Sequence, residues 1–261
     1  MSHTAFAQRL VSSPCCLPSM SQQDLFPAYQ RLGFTKYEAF PSWAECRHPW
    51  GGNADEDRQR AADYGLEITS YHLPPITENI EESLGHALAA ARYASRLGAK
   101  IVLFKAAKKD CFGAVGKRFL DVLEKENLNL TPVLQNHAGS AISTLQDYRD
   151  VFELLDHDPR INAILEVGHF QRIGIPWHEG WDLLKGRIAL IHVNEIRSGE
   201  SVPYGTGEVD FAGLLARVKT SGYAGNIVVE LELESNKTDD QQTLAGLEQA
   251  IALLTRLYYQ A

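Results

Sequence analysis

Eight short apolar segments alternate along the chain with longer segments in which apolar residues recur every three or four positions. The apolar segments are Leu10 to Leu17, Phe34 to Phe40, Leu66 to Tyr71, Ala99 to Phe104, Leu130 to Leu134, Ile161 to Val167, Ile188 to Val193 and Asn226 to Leu231. The longer spacing, seen at Leu84, Leu88, Ala91, Ala94 and Leu97, is typical of one face of an α-helix. Strands at intervals of roughly thirty residues, each followed by a helix, are typical of a barrel of about 250 residues. We therefore predict an α/β fold, a (β/α)8 TIM barrel, with residues 1–261 forming a single domain.

An open, doubly wound sheet is the alternative architecture for the same order of elements. Such sheets usually carry a glycine-rich phosphate loop after a strand. No GxGxxG or GxxxxGK[ST] pattern follows any predicted strand, so the usual support for that alternative is missing. No linker or low-complexity segment divides the chain, which favours one domain.

Charge and cysteine usage limit the classes of partner. The chain has 25 basic and 33 acidic residues, a formal net charge of −8, which is the wrong sign for attraction to nucleic acid or anionic membranes. Its four cysteines form no CxxC pair, and they fit reduced thiols. The first residues lack a cationic start with an apolar core, and no apolar run approaches the roughly 18 residues of a membrane span. We expect a soluble, cytoplasmic protein with a small-molecule substrate and without nucleic-acid or membrane partners; a homo-oligomer remains open.

Polar side chains follow seven of the predicted strands. They are Glu38, His72, Lys105, Gln135 with His137, Glu166 with His169, His192 with Glu195, and Glu230 with Glu232. A single histidine or glutamate at a strand end is more often a hydrogen-bonded or solvated residue than a ligand. Because barrel active sites lie at the carboxyl ends of the strands, the full set predicts one site at one mouth of the barrel.

Four of these residues have the chemistry of a metal site. Glu166, His192 and Glu230 offer a carboxylate, an imidazole and a carboxylate, and Gln135 offers an amide oxygen. Such oxygen and nitrogen ligands without thiolate suit Mn²⁺, Mg²⁺, Co²⁺ or Zn²⁺. We predict one divalent metal ion, which would polarise a carbonyl or enediolate oxygen.

The chain resembles the xylose isomerase-like TIM barrels, a family that contains sugar-phosphate isomerases and epimerases. The resemblance rests on "LQNHAG", "LEVGHF", "IALIHVNE", "VPYGTGEVDF" and "GYAGNIVVELE" in this order. It implies a metal-dependent isomerase or epimerase acting on a small polyhydroxylated carbonyl compound. It also places Gln135, Glu166, His192 and Glu230 at the metal-ligand positions, and His72, His169 and Arg197 at substrate-contacting positions.

Two residues depart from the family pattern. The strand 5 ligand is usually glutamate and is Gln135 here, and the strand 6 ligand is usually aspartate and is Glu166 here. The resemblance implies that epimerases pair the glutamates of strands 5 and 8 as opposed acid/base groups. An amide such as Gln135 has no pKa near neutrality, so that pair loses one member.

The predicted base is Glu230, because it ends the apolar run Ile227 to Val229 and a neighbouring cation would tune its pKa. Glu232, on the same face, is the reserve base. His169 is the predicted complementary catalytic acid. Lys105 and His137 are further predicted substrate-binding residues, together with Glu232.

Several alternatives stay open at this stage. A lyase or dehydratase needs only one base next to a carbonyl. A non-catalytic sugar-binding or regulatory barrel would explain Gln135. A DNA-repair endonuclease of the same superfamily is opposed by the net charge and by Lys105, which stands where a metal-binding histidine is expected. Arg197 fits a substrate clamp or an ordinary surface residue equally well.

Two further sequence patterns can be explained either by the structure or by the function of the protein. The "VPYGTGEVDF" segment predicts a tight turn followed by a helix N-cap at Asp210. Trp43, Trp50 and Trp177 lie in predicted loops, where they would pack against a sugar ring or within the core.

Overall fold

Eight parallel strands close into a barrel in the computed structural model, which describes residues 4–233 and 239–261. The barrel strands are β1 (Leu10–Ser12), β2 (Lys36–Ala39), β3 (Glu67–His72), β4 (Ile101–Leu103), β5 (Thr131–Leu134), β6 (Asn162–Glu166), β7 (Ile188–Asn194) and β10 (Asn226–Glu230). Their order around the ring is β1, β10, β7, β6, β5, β4, β3 and β2. The predicted (β/α)8 barrel is confirmed.

Helices connect the strands, and a short hairpin follows β7. The α-helices are α1 (Thr4–Ala7), α2 (Gln22–Arg31), α3 (Ala54–Ala62), α4 (Ile80–Leu97), α5 (Lys109–Lys125), α6 (Leu145–Leu154), α7 (Val167–Arg172), α8 (Trp177–Leu184), α9 (Phe211–Thr220) and α10 (Asp240–Gln260). The hairpin pairs β8 (Ile196–Arg197) with β9 (Glu200–Ser201) in antiparallel fashion. None of the helices in the described ranges is both long and apolar enough to cross a membrane.

The first predicted strand is the one that differs most from the structure. It was expected to reach Leu17, but β1 ends at Ser12 and a 3₁₀ helix occupies Pro14–Cys16. Proline fixes φ and has no N–H for the strand ladder, so Pro14 ends the strand there. The apolar character of this segment reflects buried packing rather than a longer strand.

The barrel interior contains a plug of six apolar residues. These are Val11, Leu103, Val133, Ile164, Leu190 and Val228, each buried. A larger apolar cluster fills the space around this plug and includes residues of both strands and helices. The two layers bury the apolar surface expected of a barrel core.

The site follows directly from the two-residue period of the strands. Residues two positions after an interior residue point to the same face. Lys105, Gln135, Glu166, His192 and Glu230 each lie two positions beyond a member of the apolar plug. The backbone therefore directs these five polar side chains inward, just above the plug.

Candidate active site

A cavity of about 410 Å³ opens where the barrel strands end. Such a volume falls in the range of small-molecule sites. Its apolar walls include Phe40, Trp43, Phe104 and Phe112. Its polar lining contains His72, Lys105, Gln135, His137, His169, Glu230 and Glu232. Most of the predicted site residues thus share one cavity.

A buried histidine lies among three carboxylates below this cavity. Nδ1 of His192 is 2.9 Å from Oε2 of Glu166 and 3.1 Å from Oε1 of Glu230. The other ring nitrogen, Nε2, is 3.4 Å from Oε2 of Glu38. Gln135 Nε2 donates a hydrogen bond to Glu166 Oε2 over 3.3 Å. The structure therefore brings the four predicted metal ligands together and adds Glu38.

The charges in this cluster shift one another's protonation. Burial disfavours the imidazolium of His192, but Glu38, Glu166 and Glu230 more than offset this and hold its pKa well above the usual value. Burial and repulsion from Glu166 raise the pKa of Glu230 to about 7, against the opposing effect of His192. Burial likewise raises the pKa of Glu166. Glu38 behaves differently, because His192 and His72 overcome its burial and hold its pKa well below the ordinary range.

The donor set fits a divalent ion on the Nδ1 side of His192. Two carboxylates and the Gln135 amide lie on that side, and the buried Oε1 of Glu166 has no hydrogen-bond partner among the described residues. Ligand atoms of Glu38, His192 and Glu230 also lie within 4.8 Å of one another. Glu38, however, faces Nε2. A carboxylate on the second ring nitrogen is the usual partner that orients a metal-binding histidine, and Glu38 fits that role better than the role of a ligand.

A buried hydrogen-bonded chain joins Lys105 to Glu38. Nζ of Lys105 is 3.2 Å from Nδ1 of His72, and Nε2 of His72 is 3.0 Å from Oε1 of Glu38. Ser70 Oγ donates to Oε2 of Glu38 over 2.7 Å. Burial and the Lys105 charge lower the pKa of His72 to about 3. His72 is therefore neutral, accepting from Lys105 through Nδ1 and donating to Glu38 through Nε2–H.

His137 and His169 form a second pair in the cavity wall. Their ring centroids are 3.7 Å apart. Burial and the neighbouring His137 lower the pKa of His169 to about 3, so its imidazole is neutral near pH 7. Nδ1 of His169 is buried and lacks a hydrogen-bond partner within the described part of the chain. The His169 ring also lines the cavity, which makes the residue a candidate for binding a substrate hydroxyl.

The arginine that contacts a residue of the cavity lining is Arg172, through Glu232, and not Arg197. Arg172 Nη2 lies 3.4 Å from Oε2 of Glu232, and its Nη1 donates to the carbonyl of Gly199. Arg197 lies on the β8 hairpin strand, is exposed, and donates to the carbonyl of Thr206. The cavity lining does not include Arg197, so the geometry gives no support to the predicted clamp. On the β8 hairpin, Nη1 of Arg197 is held 3.1 Å from the Thr206 carbonyl instead.

The "VPYGTGEVDF" segment has a structural role. The buried carboxylate of Glu195 accepts backbone hydrogen bonds from Gly205 over 3.0 Å and from Val209 over 3.2 Å. Asp210 accepts from the Gly213 N–H over 2.8 Å and caps α9, as predicted. Glu195, which was counted among the polar residues at the strand ends, therefore fixes the loop after β7 and is absent from the cavity lining.

Of the three rim tryptophans, Trp43 lines the cavity. Its side chain is 62% exposed and packs at 5.4 Å against Phe40. Trp50 contacts His86 instead, and Trp177 is buried in α8. Among the tryptophans of the described residues, only Trp43 is placed to contact a ligand in this cavity.

Comparison with known proteins agrees with this architecture. The sequence model of the xylose isomerase-like TIM barrel matches residues 26–257. The chain belongs to this family. A segment of 103 residues is 29% identical to the L-ribulose-5-phosphate 3-epimerase UlaE of Salmonella paratyphi C (strain RKS4594), and the match covers 32% of this chain and 36% of that protein. The match thus spans about a third of that relative's length.

Solved structures of low identity share the fold over nearly the whole chain. An L-ribulose 3-epimerase structure has a TM-score of 0.77 at 16% identity, covering 97% of this chain and 95% of that one. A protein named IOLI, described with a bound zinc atom, has a TM-score of 0.75 at 14% identity, covering 95% of this chain and 99% of that one. These two structures support the barrel fold.

Proposed function

We propose that the protein is a metal-dependent epimerase or isomerase that acts on a small sugar, sugar phosphate or related keto acid by removing a proton next to a carbonyl group. The observation that carries this proposal is the position of Glu230, a buried carboxylate that lines the cavity and lies 3.1 Å from Nδ1 of His192; in the metal-free protein, burial and Glu166 raise its pKa to about 7. A base with a pKa near the working pH is suited to proton abstraction. The partial match to an L-ribulose-5-phosphate 3-epimerase supports the same reaction class.

The residues that would hold the ion are Gln135, Glu166, His192 through Nδ1, and Glu230. Their oxygens and nitrogen suit Mn²⁺, Mg²⁺, Co²⁺ or Zn²⁺. When bound, the ion would lower the energy of the negative charge that develops on the substrate's carbonyl oxygen. Glu38 would keep His192 oriented from the opposite side of the ring.

The protein's own groups would divide the remaining work. Glu230 takes the proton from the carbon next to the carbonyl, and the electrons of that C–H bond move onto the carbonyl oxygen. His169 and His137 bind substrate hydroxyls from one wall of the cavity. Phe40 and Phe104, which also line the cavity, exclude water and so strengthen the electrostatic contacts.

A lyase or dehydratase is the second candidate, and Gln135 is the observation that favours it. An amide at this position cannot donate a proton to the second face of the substrate. A reaction that removes one proton and expels a neighbouring hydroxyl needs a single base, which Glu230 supplies. Analysis of the products separates the two candidates, because an epimer keeps the mass of the substrate and a dehydration product loses one water.

Solvent-deuterium exchange tests the proposal. The protein, supplied with Mn²⁺, would be incubated in D₂O with D-tagatose, L-ribulose 5-phosphate and a panel of other ketoses, and deuterium at each carbon would be followed by NMR. We expect exchange next to the carbonyl of at least one compound. Glu230→Gln should reduce the exchange rate by a factor of about 10² to 10⁴ while retaining most of the metal, because the amide keeps an oxygen ligand.

The matched control is Glu179→Gln, which changes an exposed carboxylate of α8 that is outside the cavity lining. We expect this variant to keep most of the parental exchange rate. Equal exchange by the parent and the Glu230 variant would remove Glu230 as the base and move attention to Glu232. Metal and sugar binding without any exchange would instead support a non-catalytic sugar-binding barrel.

A further inference from the structure

Lys105 lines the cavity, but the reaction proposed above gives it no role. It follows β4, and its backbone is fixed by a hydrogen bond from the Ile76 N–H over 2.9 Å. Its side chain lines the cavity, whose apolar walls include Phe104 and Phe112. Lysine in such surroundings is costly unless it has a partner or a chemical role.

The barrel order places Lys105 opposite Glu230. Going around the ring from β10, four steps through β7, β6 and β5 reach β4, and four steps through β1, β2 and β3 also reach β4. The strands that lead into Lys105 and Glu230 are therefore diametrically opposed. Gln135, after β5, is only three steps from Glu230 and cannot carry a proton.

From this placement we infer that Lys105 is the second acid/base group of the active site, delivering a proton to the face of the substrate opposite Glu230. The inference rests on the proposed function and adds the residue that would permit inversion despite Gln135. Glu230 would take the proton from one face, leaving the electron pair in the enediolate. The Lys105 ammonium would then give one proton to the same carbon from the other face, and the carbonyl would re-form.

The proton balance of this step is simple. At its end Glu230 carries the abstracted proton and Lys105 is a neutral amine, so the substrate has exchanged one proton for another. Both groups return to their starting states by exchange with water. No oxidant, reductant or further reactant is needed.

The contacts of Lys105 suit this role. Within the described residues, His72 Nδ1 is the hydrogen-bond acceptor of Lys105 Nζ, and an ammonium has three N–H groups. Two N–H groups therefore remain for a substrate. Burial lowers the pKa of Lys105 to about 8, although Glu38 partly opposes the shift, which places proton donation within reach at neutral pH.

The other titratable groups of the cavity are less well placed. Glu232 shares the Glu230 side of the barrel, and His169 and His137 follow β6 and β5, two and three steps from β10. His72 lies on β3, but both of its ring nitrogens are engaged, by Lys105 and by Glu38. Lys105 combines an opposite position with available protons.

The test separates exchange from inversion. With a ketose that the parent exchanges in D₂O, Lys105→Met should retain exchange from the Glu230 face with the original configuration, while inversion falls by a factor of about 10² or more. Lys105→Arg should fail in the same way, because guanidinium keeps the charge but does not release a proton near neutrality. Lys108→Met, at an exposed lysine that pairs with Glu78, is the matched control and should behave as the parent.

A double variant distinguishes the loss of a proton donor from a purely structural loss of inversion. Adding Gln135→Glu to Lys105→Met supplies a carboxylate near the same substrate carbon, and we expect it to restore part of the inversion. Inversion at the parental rate in Lys105→Met, or full rescue by Lys105→Arg, would overturn the role of Lys105 while leaving Glu230 as the base. Absence of exchange in the parent would instead remove the proposed function itself, and the inference with it.

Discussion

Nδ1 of His192 lies 2.9 Å from Oε2 of Glu166, in a cluster whose carboxylates hold the pKa of His192 well above its usual value. The metal-free imidazole is therefore protonated at neutral pH, and it must lose that proton before it can bind an ion. We expect affinity for Mn²⁺ or Zn²⁺ to rise with pH, with release near pH 7 of one proton from His192 and a further fraction of a proton from Glu230, whose pKa is about 7. Calorimetric titrations in buffers of different ionisation enthalpy measure the released protons. Binding that is independent of pH between about 6 and about 8 would contradict a ligand role for His192.

The two sides of the His192 ring can be distinguished by mutation. His192→Ala should remove most of the metal, because it deletes a ligand. Glu38→Gln should keep the ion but weaken its affinity by a factor of about 10 to 100, because it changes only the group that orients the ring. Elemental analysis and metal titration measure both effects. If Glu38→Gln lost the ion as completely as His192→Ala, Glu38 would be a ligand.

Gln135 is the residue whose replacement should strengthen the metal site. Gln135→Glu adds a carboxylate beside Glu166. The two carboxylates repel each other in the empty site, and both are attracted to a bound cation. We expect a metal affinity that is equal to or higher than that of the parent at neutral pH, together with faster inversion of a ketose. Metal titration and NMR of the epimerised sugar measure the two effects. Fast inversion by the parent with no gain in the variant would show that position 135 is not involved in proton transfer.

The barrel could be predicted from the sequence because the apolar residues recur with the spacings of alternating strands and helices. Each interior residue of the plug, such as Ile164 or Leu190, is followed two positions later by a site residue, here Glu166 or His192. The strand-end positions and the meeting of Glu166, His192 and Glu230 followed from the same pattern. The end of β1 was missed, since the apolar residues after Pro14 continue without a strand.

Long side chains and loops limited the remaining predictions. Arg197 was placed at the mouth by its position after a strand, but the β8 hairpin directs it to Thr206. Arg172, six residues beyond Glu166, reaches Glu232 from α7, and nothing in the spacing indicates where so long a side chain ends. Glu38 carried a usable signal: a carboxylate between Tyr37 and Ala39, both buried, must be paired.

Gly207 is expected to be required by the loop after β7. A Cβ at this position would collide with the Glu195 carboxylate, which holds that loop through the Gly205 and Val209 N–H groups. Gly207→Ala should cost about 1–3 kcal/mol, a fall in Tm of about 2–4 °C per kcal/mol in a chain of this size. Gly85→Ala, in open space within α4, is the control and should stabilise by about 0.5–1 kcal/mol. An unchanged Tm in Gly207→Ala would show that Glu195 does not need the close approach.

The Asp57 carboxylate should stabilise the barrel at neutral pH, and this stabilisation should be lost in acid. The carboxylate contacts the hydroxyl of Tyr93 and lies 2.8 Å from Nη1 of Arg60. Burial opposes ionisation of this carboxylate. His48, Tyr93 and Arg60 outweigh the effect of burial and lower the pKa of Asp57 to about 2. Because the folded-state pKa is below the unfolded value of about 3.9, the stabilisation is fully present above that value and is lost as pH falls toward about 2. Asp57→Asn should therefore lower stability by about 1–2 kcal/mol at neutral pH, with a difference that shrinks on acidification. Tm values of parent and variant across this pH range measure the effect, with Asp63→Asn, at an exposed position after the same helix, as the control. A difference between parent and Asp57→Asn that stays constant with pH would show that the carboxylate contributes through packing and not through its charge.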